Sequence, residues 1–290
     1  MAYNKAMDTI TEKAYAKLNL SLDVLGKLDN GYHALRMVMH SASLCDTVRI
    51  TLTDGPSRSR SNFTFLPPDA RNIATRAAGV FFDAAGIKGR GADIVLEKRI
   101  PVGAGLGGGS SDAAAVLRGL NTLTGAGFSL PRLAELGEAL GSDVPYCVYG
   151  GAALAAGRGE LLEPLPPLPD CGIVICKPAF SIRTPDLFAR IDGRTLRLRP
   201  DTEGLAAALR AGDVAGVARR MYNVFEDVLP ARCGEIAVIK QKLLSAGALG
   251  AVMTGTGSAV IGLFRSRQEA EEAREKLRQD YSECFAAAPV

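Results

Sequence analysis

The segment Pro101-Val102-Gly103-Ala104-Gly105-Leu106-Gly107-Gly108-Gly109-Ser110-Ser111 holds the densest chemical signal in the chain. Each glycine in a regular element costs about 0.5–1 kcal/mol relative to alanine, so a run of them calls for a reason. Glycine lets a ligand approach backbone amides closely, and the serines precede Ala113-Ala114-Ala115-Val116-Leu117, a strong helix former. A helix start offers unpaired N–H groups and a partial positive charge, which suits phosphate. Gly103-x-Gly105-x-x-Gly108 also fits a dinucleotide fingerprint, but the acidic residue expected about 20 positions on falls at Phe128-Ser129-Leu130. A Walker loop fails because Gly109 stands where its lysine belongs. The partner motifs of a protein-kinase glycine loop are absent. The run therefore reads as a phosphate-binding loop whose type stays open at this point, a dinucleotide-dependent oxidoreductase among the readings.

Phosphoryl transfer asks for positioned charge and a proton acceptor, and the loop has no acceptor of its own. Elsewhere in the chain Lys17 carries a positive charge, Asp143 a carboxylate, and Tyr32, His33 and Phe188 aromatic rings. Each has a bland alternative. Lys17 lies on the polar face of an alternating strand, where solvation is the default. Asp143 follows a helix end and precedes Val144-Pro145, the place of an N-cap. His33 alone reads as a surface histidine, and Tyr32 and Phe188 read as core aromatics. Gly255-Thr256-Gly257 also reads as a hairpin turn.

The elements that must position these groups follow from periodicity. Ala14 to Val24 alternates as a strand with Lys17, Asn19, Ser21 and Asp23 on one face. Asp29-Asn30-Gly31 is a turn, Asp46 to Thr53 a strand, and Ser57 to Asn62 a polar loop. A helix is expected over 73–85, a strand over 92–97, a helix over 111–123 after the glycines, and another from Ser129 with Pro131 in its first turn. The second half offers a strand at Gly172–Cys176, helices near 203–210, 213–222, 234–246 and 267–279, and strands at 250–253 and 259–264. Strands and helices mix without strict alternation, so the class is α+β. Four prolines in Glu163–Pro169 read as an extended connector, which divides the chain into 1–163 and 164–290.

The 290 residues suit two ordinary domains, and the formal charge of +3 permits an anionic ligand without indicating a nucleic-acid surface. The six cysteines include no Cys-x-x-Cys pair, and two histidines make a zinc site a poor expectation. Reduced thiols, no apolar signal core over Met1–Glu12 and no stretch of ~20 apolar residues lead to an expectation of a soluble, cytoplasmic protein without membrane partners.

The motifs, in order, resemble those of the GHMP kinase superfamily, which includes galactokinase, homoserine kinase, mevalonate kinase and phosphomevalonate kinase. Pro101–Ser111 resembles its central glycine motif, Ala16-Lys17-Leu18-Asn19-Leu20 its N-terminal Ala-Lys-Ile-Asn-Leu strand, Gly141-Ser142-Asp143-Val144-Pro145-Tyr146 its Gly-Ala/Ser-Asp-Val-Pro-Phe segment, and Thr254-Gly255-Thr256-Gly257-Ser258 its third motif. Tyr15-Ala16 departs slightly from the usual Pro-Ala before the lysine. Gly31-Tyr32-His33-Ala34-Leu35 and Thr184-Pro185-x-x-Phe188 are similar to one branch, whose acceptor is a cytidine-nucleotide-linked sugar alcohol of the non-mevalonate isoprenoid route. Homoserine and mevalonate kinases are the alternatives within the family.

The resemblance implies a two-domain fold, N-terminal of the ribosomal-protein-S5-domain-2 type and C-terminal ferredoxin-like. It implies ATP on the Pro101–Ser111 loop, with Asn72 and Lys98 near the adenine. Lys17 and Asp143 would be catalytic, and Asn19, Tyr32, His33, Thr184 and Phe188 would bind the substrate. Tyr32 and Phe188 would stack on the cytosine while His33 hydrogen-bonds it. Mg²⁺ would bridge the phosphates, with no protein ligand assigned to it.

Overall fold

The computed structural model describes residues 8–196 and 198–290. In chain order its elements are β1 (Thr9–Lys27), β2 (His33–Asp54), β3 (Arg58–Ser61), α1 (Ile73–Ala84), β4 (Arg90–Glu97), α2 (Gly108–Thr124), α3 (Leu130–Glu138), α4 (Val144–Tyr149), β5 (Ala152–Ala156), β6 (Leu161–Leu165) and β7 (Gly172–Lys177). They continue as α5 (Thr184–Asp192), α6 (Thr202–Arg210), α7 (Val214–Arg220), β8 (Tyr222–Asn223), α8 (Glu235–Ser245), β9 (Gly250–Met253), β10 (Val260–Phe264), α9 (Arg267–Leu277) and β11 (Glu283–Ala287). The chain divides into two compact units, both discontinuous in sequence. Residues up to 15, 45–100 and 108–149 form one; 16–44, 101–107 and 150–290 form the other.

In the first unit, β4 pairs antiparallel with Thr47–Asp54 of β2 and parallel with β3. The polar loop expected over Ser57–Asn62 is therefore strand β3. Its arginines face solvent, while Ser59 is buried and accepts a hydrogen bond from Thr75 Oγ1 at 2.8 Å. Alternation of Ser and Arg satisfies an edge strand as well as apolar alternation does. Helices α1 and α2 pack on each other. Ala113, Ala114, Val116, Leu117 and Leu120 of α2 are fully buried, each large side chain contributing about 1.5–3 kcal/mol on burial. Helix α3 starts where capping chemistry predicts, with the Ser129 side chain accepting from Arg132 N and Pro131 in the first turn.

In the second unit, β7 runs through an antiparallel sheet ordered β11-β7-β10-β9, with Val174 opposite Gly262 and Ala286. All six residues of β7 are buried: Gly172–Cys176 is an unbroken apolar run, and Lys177 donates from Nζ to Glu283 at 2.8 Å. Helix α9 packs on β7 and β11, and α8 on β9 and β10. Residues Met37–His40 of β2 pair with β5, and β5 pairs with β6. The Glu163–Pro169 stretch, expected as a connector, thus begins as strand β6. Pro164 is tolerated there because β6 pairs on one side only.

The polar face of β1 is not solvated. Lys17, Asn19, Ser21 and Asp23 are all buried, each given a partner or packing by the rest of this unit. Arg199 Nη1 donates to Asp23 Oδ1 and Val24 O, both at 2.7 Å, so part of the Arg194–Arg199 basic stretch is consumed within the protein.

His40 is fully buried in the second unit and neutral. Its Nε2 accepts from Leu168 N at 2.8 Å, which leaves Nδ1–H to donate to Ser41 O at 2.7 Å. Burial holds its pKa below the ordinary value. The unfolded chain therefore binds a proton that the folded protein refuses, and stability falls as pH drops below about 6.5. Equilibrium unfolding from pH 7.5 to 5 should show this slope, and His40→Phe should flatten it.

Candidate active site

The glycine loop is shaped by close backbone approach. Gly103, Gly105 and Gly107 have φ of +65°, +77° and +66°. At Gly105 a Cβ would lie 2.2 Å from the carbonyl oxygen of Thr254. Three hydrogen bonds within the second unit hold this arm. Lys17 N donates to Leu106 O at 2.9 Å, Ala259 N to Ala104 O at 3.1 Å, and Thr254 Oγ1 to Gly105 O at 3.4 Å. The third glycine motif is thus not a bare hairpin: it carries the loop. Asn223 braces it in turn, donating from Nδ2 to Met253 O and Gly255 O, both at 2.7 Å.

The helix expected from Ser111 begins at Gly108, three residues earlier, so the last glycines already lie in the first turn of α2 and present its unpaired amides. Ser110 is half-exposed. Ser111 is buried and donates from Oγ to Tyr15 O at 2.6 Å.

Asn72 and Lys98, expected near adenine, both have partners within the protein. Asn72 caps α1, with Oδ1 accepting from Ala74 N at 3.0 Å and Nδ2 donating to Pro67 O at 3.2 Å. Lys98 Nζ is buried between Asp46 and Asp112, 2.6 Å from Asp112 Oδ2. Asn62 takes both its backbone groups, Lys98 N at 2.8 Å and Lys98 O at 3.1 Å. Burial pushes the Asp112 carboxyl up to about 7 against the pull of Lys98, and Asp46 adds to the rise.

Lys17 is 4 % exposed and donates from Nζ to Asn19 Oδ1 at 3.0 Å. Asn19, expected on the substrate, is 1 % exposed. Its side chain holds Lys17 and donates to Met37 Sδ at 3.3 Å, while its amide donates to Thr254 Oγ1 at 2.9 Å. Asn19 therefore orients the lysine. In the first unit, Asp143 is half-exposed, and its carbonyl accepts the first helical bond of α4 from Cys147 N at 3.1 Å. It directly precedes α4, the N-cap position that its bland reading expected.

The second unit also gathers the aromatic residues. His33 stacks on Phe188 with ring centroids 4.5 Å apart, and Phe188 meets Phe225 edge-on at 5.0 Å. His33 Nε2 lies 2.6 Å from Asp192 Oδ1, and this bond holds the Asp192 carboxyl below its ordinary range. Tyr32 is exposed, with the Arg158 guanidinium 5.2 Å above its ring. The expectation that Phe188 stacks on a base is modified, because His33 occupies one face of Phe188. Thr184, first residue of α5, shares a hydrogen bond with Thr256 Oγ1 at 2.8 Å.

Sequence reasoning missed Asp46, Asp112, Asn223 and Asp192. Only Asp112 carried a signal, directly after the loop serines; the others meet their partners far along the chain. Among the described residues no group of three or more His, Cys, Asp and Glu is arranged to hold a metal, and no helix is long and apolar enough to cross a membrane.

The family described as GHMP kinases N terminal domain matches residues 72–151, and that described as GHMP kinases C terminal matches 205–283. The chain belongs to the GHMP kinases: it is an enzyme of the two-domain kinase fold that transfers a phosphoryl group to a small molecule. A protein of Syntrophomonas wolfei named 4-diphosphocytidyl-2-C-methyl-D-erythritol kinase is 42% identical over 273 residues, 94% of this chain and 95% of the relative. A protein of the same name from Lachnoclostridium phytofermentans is 44% identical and covers 92% of each chain. A crystal structure of 4-(cytidine 5'-diphospho)-2C-methyl-D-erythritol kinase superposes with a TM-score of 0.80 at 34% identity, covering 97% of this chain and 99% of that one.

Proposed function

We propose that this kinase transfers the γ-phosphoryl group of ATP to the 2-hydroxyl of 4-diphosphocytidyl-2-C-methyl-D-erythritol in non-mevalonate isoprenoid precursor biosynthesis. The observation that carries the choice of acceptor is the ring group of Tyr32, His33 and Phe188 in the second unit, within a chain similar over nearly its whole length to kinases of that name.

The amides of Gly103–Ser111 hold the β- and γ-phosphates, supported by the carbonyl bonds from Lys17, Thr254 and Ala259. Asp143 orients the acceptor hydroxyl and takes its proton. The Lys17 ammonium, aimed by Asn19, offsets charge on the transferring group. Mg²⁺ would accompany ATP in this reading, with no protein ligand assigned to it. When bound, Mg²⁺ neutralises charge on the triphosphate.

On the acceptor side, Phe188 and Tyr32 offer ring faces and His33 a polar edge. Base stacking on an aromatic is worth roughly 1–3 kcal/mol. His33 covers one face of Phe188 and is held there by Asp192 through Nε2. Phe188→Ala should raise KM for the cytidine-linked acceptor about tenfold or more and change KM for ATP less than twofold. Equal effects on both would remove Phe188 from the acceptor site. Cytidine 5'-diphosphate should compete with the acceptor in the wild-type enzyme and lose this effect in the variant.

A further inference from the structure

Lys98, Asp46 and Asp112 form a closed set of charges in the first unit. Their side chains are 3 %, 0 % and 4 % exposed, respectively. Each is tied to one end of the phosphate loop. Asp46 Oδ1 accepts from Arg99 N at 2.5 Å and Ile100 N at 2.8 Å, the last amides before the loop. Asp112 lies in α2, the helix that leaves the loop. Lys98 Nζ donates to Oδ2 of both carboxylates. The two ends touch beneath it: a Cβ on Gly108 would lie 3.1 Å from Ile100 Cγ2 and 3.4 Å from Lys98 Nζ. The root of the lysine is itself fixed, because Asn62 binds both backbone groups of Lys98.

We propose that Lys98, Asp46 and Asp112 are a clamp that fixes both ends of the phosphate loop, so that the Lys98 ammonium acts on ATP through the position of the loop amides. A buried ion cluster adds little net stability over apolar packing, since desolvation offsets most of its Coulombic gain. What it supplies here is directional bonds from one ammonium to the entering and the leaving backbone. Loop amides misplaced by about 1 Å can cost up to 10²-fold in function. Among the described residues Asp112 Oδ1 has no hydrogen-bond partner, so only Oδ2 serves the clamp. An asparagine there keeps an acceptor for Lys98 and exchanges one unpaired atom for another.

The inference rests on the reading that the Gly103–Ser111 loop holds the phosphates of ATP, and the test separates the two. Binding of ATP and of inorganic tripolyphosphate, which has no base, is measured by equilibrium dialysis for wild type, Lys98→Met, Asp112→Leu and Asp112→Asn. KM for ATP and for the acceptor are measured alongside. The clamp predicts that Lys98→Met and Asp112→Leu weaken ATP and tripolyphosphate by the same factor, about tenfold or more. KM for the acceptor stays within twofold, and Asp112→Asn stays within threefold of wild type throughout. If Lys98→Met does not fold, Asp46→Asn preserves the volume and should weaken both ligands severalfold. Loss of ATP affinity with tripolyphosphate unchanged would make Lys98 a base contact and overturn the clamp. So would unchanged binding of both ligands in a folded Lys98→Met or Asp46→Asn protein. Failure of the wild-type enzyme to bind either ligand would overturn the loop reading itself, and the clamp with it.

Discussion

Lys17→Met and Asp143→Asn should each lower kcat by about 10³-fold while the folded protein still binds ATP. Loss of a positioned charge or of a general base costs 10²–10⁴-fold, and 10³-fold corresponds to about 4 kcal/mol of transition-state stabilisation. Lys17 suits such a role because its ammonium is aimed before any ligand arrives. It is 4 % exposed, and Asn19 Oδ1 receives it at 3.0 Å. Its amide also holds the loop through Leu106 O, a backbone bond that substitution leaves intact. Methionine matches the lysine stem but leaves Asn19 without that donor, a cost of about 1–3 kcal/mol. The variant therefore melts a few degrees lower and remains folded. At Asp143, asparagine keeps the cap geometry at the head of α4 and removes the proton acceptor. Single-turnover rates with saturating ATP separate chemistry from binding. A purified variant of either residue with a rate within tenfold of wild type would take that residue out of the catalytic step.

The second large effect belongs to Gly105. With φ at +77°, an alanine there carries a left-handed backbone cost of about 1–2 kcal/mol. The larger obstacle is its Cβ, placed 2.2 Å from the Thr254 carbonyl, a backbone atom that cannot swing aside. Either the loop or the Thr254–Ser258 turn must move, and both shape the arm that receives phosphate. Gly105→Ala should raise KM for ATP about 10²-fold or abolish turnover. Gly125→Ala is the matched control, with φ at +63° and no atom within 4 Å of its added Cβ. It carries the conformational cost alone and should keep kcat/KM for ATP within twofold. Equal behaviour of the two variants in kinetics would mean that the approach of Thr254 to the loop has no part in binding.

These contrasts show what a linear sequence discloses. Local devices were readable: the Ser129 cap, the turn before β2, the glycine loop opening into α2, and the periodicity of α6 to α9. The bland reading of Asp143 as a helix cap was correct for its backbone, and nothing in that reading conflicts with a catalytic carboxylate at the same place. Non-local pairing was not readable. Lys98 directly follows β4, and nothing local pairs it with Asp46, 52 residues away, or with Asp112. Asn72 sits directly before a helix, and its capping role was available from position alone. On β1, alternation correctly put Lys17, Asn19, Ser21 and Asp23 on one side. Whether that side meets water depends on residues as distant as Arg199 and Thr254, which periodicity cannot disclose. The short strands β5 and β11 were missed for a related reason: Ala-rich segments acquire strand geometry from the ladders they join, not from their own propensity.

The acceptor is the central claim, and product identity tests it most directly. Wild-type enzyme is incubated with γ-labelled ATP and, separately, 4-diphosphocytidyl-2-C-methyl-D-erythritol, homoserine and mevalonate. Labelled product is resolved, and the phosphorylated oxygen is located by ³¹P–¹H correlation. The prediction is label on the 2-hydroxyl of the cytidine-linked acceptor and none on the other two. Transfer to homoserine or mevalonate, with none to the cytidine-linked acceptor, would contradict it.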